Sequence, residues 1–91
     1  MSRLKDHVAI VTGASRGIGK AVVQAYAREG ARITLVATRE QSLRQVCAEL
    51  GLSDDQTLCV AADVSKADEC QRAVQATLAR WDHVDVLVNN A

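Results

Sequence analysis

Four aliphatic, β-branched runs alternate with three stretches of helical period along this 91-residue chain, and that alternation restricts the fold more than any other feature. "HVAIV" (7–11) is unbroken, as a strand buried on both faces reads. "RITLVAT" (32–38), "TLCVAADV" (57–64) and "VDVLVNN" (84–90) repeat the pattern. From Gly17 to Glu29, Ile18, Val22 and Tyr26, with Val23 and Ala25, make one helical face, and Gly30 stands where a helix end favours glycine. Thr38 with Gln41 fits a capping box ahead of a Leu43, Val46, Cys47, Leu50 stripe that Gly51 stops. Ser65 with Asp68 opens a third helix with the face Cys70, Val74, Leu78, Trp81. The order is β-α-β-α-β-α-β. Strands joined by helices of this length lie parallel through right-handed crossovers, which predicts an α/β fold with an open, doubly wound parallel sheet. Its ligand sites lie beyond the carboxyl ends of the strands.

In the order 3-2-1-4 the fourth strand is an edge, although it is as apolar as the first. Two helices then cover one face and the third alone covers the other. A bare apolar edge and a thinly covered face are liabilities, so the chain is expected to be the first part of a longer protein.

The charges balance at 11 basic and 11 acidic residues, which argues against nucleic-acid or membrane-surface partners. No apolar run approaches the roughly 20 residues of a spanning helix. The amino terminus enters a strand pattern at once, so the expected location is the cytoplasm. Cys47, Cys59 and Cys70 include no pair at metal-finger or redox-motif spacing and are expected to be buried, reduced thiols. His7 and His83 are isolated, each at the start of a strand, and neither is expected to act as a metal ligand or base.

The chemistry is concentrated in "TGASRGIGK" (12–20), between the first strand and the first helix. The spacing is G-x-x-x-G-x-G. Gly13 suits a tight turn out of the strand, Gly17 a close backbone approach to a pyrophosphate, and Gly19 close helix packing. The free N–H groups at the helix start then hold the phosphates. A nucleotide-triphosphate loop needs glycine at Ala14 and Ser or Thr at Ala21, and has neither, so Lys20 is read as a helix-surface residue.

"TGASRGIG", "AADV" (61–64) and "VDVLVNNA" (84–91) together resemble the amino-terminal half of a short-chain dehydrogenase/reductase, in the style of 3-oxoacyl-carrier-protein and carbonyl reductases. The resemblance covers essentially the whole chain. It implies a Rossmann-type sheet of which residues 1–91 are the amino-terminal part, within a single dinucleotide-binding domain. It also implies a nicotinamide cofactor, a small carbonyl or alcohol substrate for the full-length protein, and a homo-oligomer built on later helices. By resemblance, Gly13, Ser15, Arg16, Gly17, Ile18 and Gly19 form the phosphate turn, and Thr12 ties it down. Asp63 and Val64 stand beside the adenine; Asn90 and Ala91 hold the central strands and border the ribose. Asp63 also reads as a plain turn residue, and Asn89 as a residue serving the backbone.

An acid at the end of the second strand accepts from a ribose 2′-hydroxyl and repels a 2′-phosphate. Ala37 stands in that place, followed by Thr38 and Arg39, and a hydroxyl with a guanidinium suits a phosphate. The expected cofactor is NADP(H) in preference to NAD(H), with Glu40 the residue that speaks against it. The family's catalytic Tyr-x-x-x-Lys does not occur, and four residues after the sole tyrosine, Tyr26, comes Gly30. The chain alone is therefore expected to be catalytically inactive. Two alternatives are a non-catalytic dinucleotide-binding or regulatory module and a methyltransferase-like relative, the latter lacking its expected acid near Ala37.

Overall fold

A computed structural model describes residues 4–90. The elements are β1 (Val8–Thr12), α1 (Gly17–Arg28), β2 (Arg32–Ala37), α2 (Glu40–Leu50), β3 (Thr57–Ala61), α3 (Ala67–Trp81) and β4 (Val86–Val88). They form one parallel sheet in the order β3-β2-β1-β4. Both the alternating pattern and the strand order match the sequence expectation.

β1 sits between β2 and β4, and all five of its residues are buried. Alternate strand residues point to opposite faces, which divides the core in two. On one face Val11, Ile33 and Leu35 meet Val23 of α1 and Leu43 and Val46 of α2. On the other, Ile10, Val36 and Val60 meet Ala73 of α3. Tyr26 is half-buried against the first cluster. α1 and α2 stop just before Gly30 and Gly51, as their stripes predict.

Several local expectations are corrected. The Thr38–Gln41 capping box does not form, and Ser65 does not open α3: α2 and α3 start after Arg39 and Lys66, with no side-chain cap. Ser65 instead gives its hydroxyl to Asp63. α3 buries Ala73 and Thr77 rather than the predicted larger stripe, because small side chains bring the helix close to the sheet. Thr77 then meets Thr34 hydroxyl to hydroxyl at 2.7 Å, a buried pair that satisfies both. Ile18 is not on the core face of α1 but 72% exposed. β4 is short, paired on one side only, and leaves Leu87 59% exposed, in line with the thinly covered face. Among the described residues no helix is long and apolar enough to cross a membrane.

Candidate functional site

The chain leaves β1 through Gly13 at φ +60°. A Cβ there would collide with the Asn90 carbonyl oxygen, so the turn requires glycine twice over, for its conformation and for its space. Gly19 is equally constrained: a Cβ would overlap the Gly13 carbonyl and lie 2.9 Å from Asn90 Nδ2. Gly17 differs. Its φ is +63°, yet nothing lies within 4 Å of where its Cβ would stand. Gly17 is exposed, and the space beside it is open. Arg16 precedes the helix in extended conformation, and no side chain caps the first N–H groups of α1.

Thr12 anchors this turn to β4. Its hydroxyl accepts the Asn90 N–H at 2.9 Å, and its proton is shared between Val88 O at 3.3 Å and Asn89 Oδ1 at 3.2 Å. Asn89 thus serves the Thr12 hydroxyl rather than the backbone. Asn90 Nδ2 reaches Gly13 O at 3.5 Å. Ala91 lies outside the described residues.

Two adjoining clefts open at the carboxyl ends of the strands. The smaller, about 340 Å³, gathers Gly13, Ser15, Arg16, Thr38, Asp63, Val64 and Asn90. Seven of the sequence-predicted residues therefore meet in one place. The larger, about 650 Å³, shares Ser15, Arg16, Ala37 and Thr38 and continues past Arg39 along α2. Thr12, Gly17, Ile18 and Gly19 line neither cleft.

The charges around the larger cleft are unevenly used. Lys20 is paired with Glu49 at 2.6 Å, and its hydrogen bond and charge hold the Glu49 carboxyl below the usual range. Glu40 is held by Arg44 at 2.8 Å, one helical turn on. Among the described residues Arg16 and Arg39 make no ion pair, so two uncompensated guanidiniums border the cleft. Ser42, Gln45 and Glu49 also line it, and sequence reasoning missed all three. Their steps of three and four residues from Arg39 were the available signal, since these put them on one helix face.

Asp63 plays the turn role. Its Oδ1 accepts the Ser65 hydroxyl at 2.6 Å and the Ser65 N–H at 3.0 Å, which hold the carboxyl below its ordinary range. The Asp63 N–H in turn donates to Glu69 Oε1 at 2.7 Å. The carboxylate is thus fixed, ionised at neutral pH, and on the wall of the smaller cleft.

Comparison with known proteins agrees with this geometry. The sequence profile of the short chain dehydrogenase family matches residues 7–91. The 11-beta-hydroxysteroid dehydrogenase A of Sesamum indicum is 45% identical over 87 residues, 92% of this chain and 24% of that one. The 3-oxoacyl-[acyl-carrier-protein] reductase of Synechocystis is 40% identical over 92 residues, 100% of this chain and 37% of that one. The crystal structure of a 3-ketoacyl-(acyl-carrier-protein) reductase from Brucella melitensis, complexed with NADH, superposes with a TM-score of 0.87 at 38% identity. It covers 97% of this chain and 35% of the other. The chain thus spans less than two fifths of the length of each of these relatives. A parallel 3-2-1-4 sheet, a glycine turn feeding its first helix and this match over nearly all residues establish that the chain belongs to the short chain dehydrogenase family.

Proposed function

We propose that the chain is the NADP(H)-binding portion of a reductase that interconverts a carbonyl and an alcohol. The observation that carries this reading is the convergence of Arg16, Thr38 and Arg39 on one cleft, with alanine at position 37 and Glu40 tied to Arg44. Two guanidiniums and a hydroxyl suit a ribose 2′-phosphate, and no carboxylate stands where one would accept from a 2′-hydroxyl. The open space at Gly17 and the uncapped start of α1 fit a pyrophosphate. Asp63 offers a fixed carboxylate acceptor to an adenine amine, with Val64 beside it, and Asn90 borders the same cleft. The Brucella relative's NADH supports a nicotinamide dinucleotide as the ligand class. The preference for the phosphorylated form rests on the residues around position 37.

When bound, the cofactor supplies a hydride to the carbonyl carbon. The residues of this chain grip and orient it. The chain contains no Tyr-x-x-x-Lys to protonate the alkoxide. Catalysis therefore belongs to a full-length protein, a homo-oligomer in this reading. Saturable binding of NADPH, with no site-saturable turnover of carbonyl substrates by the chain alone, is the expected result. Absence of NADPH binding to the folded protein contradicts the first part, and measurable turnover the second.

A further inference from the structure

The fold brings together two thiols that lie 12 residues apart in sequence. Cys47 Sγ, on α2, and Cys59 Sγ, in the middle of the edge strand β3, are 3.8 Å apart. Both are half-buried free thiols, not the fully buried ones the sequence predicts. A disulfide needs the sulfurs about 1.8 Å closer, a shift that rotation of the two side chains about their Cα–Cβ bonds has to supply. Both thiols also line a cleft of about 430 Å³ at the edge of the sheet, so a small reagent can reach them. Arg80 borders that cleft and donates only to the neutral carbonyls of Asp54, at 2.5 Å, and Thr57, at 3.4 Å. Arg44 and Arg80 outnumber Asp54 on the walls of that cleft, which favours an anionic reagent.

We propose that Cys47 and Cys59 form a reversible disulfide that staples α2 to β3, made by exchange with an anionic small-molecule disulfide of the glutathione type. Burial, and then the neighbouring Cys47, push the Cys59 thiol up to about 12, so Cys59 keeps its proton and Cys47 attacks first. The Cys47 thiolate bonds to one sulfur of the small disulfide, whose S–S bond breaks to release one glutathione thiolate. That thiolate takes up the proton that Cys47 lost. Cys59 then gives its proton to solvent base and attacks Cys47 Sγ, expelling the second glutathione as a thiolate that takes that proton back from solvent. Two protein thiols are oxidised by two electrons, and one small disulfide is reduced to two thiols.

Cys70 provides an internal control. It belongs to α3 on the opposite face of the sheet, and its thiol donates to Val64 O at 3.0 Å. The test equilibrates the full chain with graded ratios of oxidised to reduced glutathione, in buffer and in denaturing urea. Acid quenching, alkylation and peptide mass spectrometry follow. The expected product is about 2 Da lighter before alkylation, with a 47–59 cross-linked peptide and Cys70 alone alkylated. In urea the same cross-link should need a glutathione ratio on the order of tenfold more oxidising, because the fold no longer holds the thiols together. A Cys59→Ser chain should stop at a glutathione adduct on Cys47. Three alkylated thiols, a cross-link to Cys70, or an equal midpoint in urea would overturn the proposal.

Discussion

The Thr12 hydroxyl accepts the backbone N–H of Asn90 at 2.9 Å, so the end of the central strand holds the segment that follows β4. The same segment packs its carbonyl against Gly13. The glycine turn is thereby braced from a part of the chain 77 residues away.

Replacing that hydroxyl should be costly out of proportion to its size. Thr12→Val keeps the shape but leaves the Asn90 N–H without its acceptor, for a loss of about 1–2 kcal/mol. Urea denaturation should show a lower midpoint for Thr12→Val and a midpoint near the parent for Thr12→Ser. Equal midpoints for all three would mean that solvent or a backbone shift replaces the bond.

The three glycines of the turn should separate under alanine substitution. Gly19→Ala drives a methyl group into the Gly13 backbone carbonyl and to 2.9 Å from the Asn90 side-chain amide, and should cost about 1–3 kcal/mol. Gly17→Ala meets no neighbour and carries only the strain of its positive φ, about 1–2 kcal/mol. Its larger effect should be on ligand binding, because the methyl group enters the open space where a pyrophosphate is proposed to sit. Thermal unfolding combined with dinucleotide titration distinguishes the two. A Gly17→Ala chain that is folded and binds as the parent does would remove Gly17 from the site.

His83 joins the start of β4 to the start of β1. Its Nε2 lies 3.0 Å from Asp6 O and 3.1 Å from Asp85 Oδ2, and its Nδ1 lies 3.0 Å from Trp81 O. Both nitrogens face acceptors, and only the imidazolium donates from both. The Asp6 carbonyl above all, then the Asp85 charge and the Trp81 carbonyl, raise its pKa above the ordinary 6.5. A raised folded-state pKa contributes stability that is complete below about 6.5 and is lost as pH rises through the folded value. An NMR titration of His83 should therefore give a midpoint above that of a free imidazole. The stability difference between the parent and His83→Gln should shrink on the alkaline side. A midpoint at or below 6.5 contradicts the clasp.

The topology was legible because its determinants are local and repetitive. β-Branched runs such as "HVAIV" are buried on both faces only in a parallel sheet covered by helices, and the helical stripes between them force crossovers. The clustering of Gly13, Arg16, Thr38 and Asp63 was legible for the same reason, since all four sit at the carboxyl ends of strands. What stayed hidden depends on distant partners. Nothing near Thr34 announces that its hydroxyl meets Thr77, or near Cys59 that its sulfur faces Cys47. Ser65 does not cap α3 because a nearer competitor takes its side chain: the hydroxyl turns back to Asp63. Ile18 fits an apolar helical face by count, but in the first turn of α1 it is Gly19 that packs inward, against the glycine turn, and Ile18 faces solvent.

Paired calorimetric titrations with NADPH and NADH decide whether Arg16, Thr38 and Arg39 select a 2′-phosphate. The parent chain should bind NADPH more tightly than NADH. Arg39→Asp should weaken NADPH by on the order of tenfold or more while changing NADH far less, since a charge-assisted contact is worth about 1.5–3 kcal/mol. NADH binding equal to or tighter than NADPH binding in the parent chain would contradict that selection.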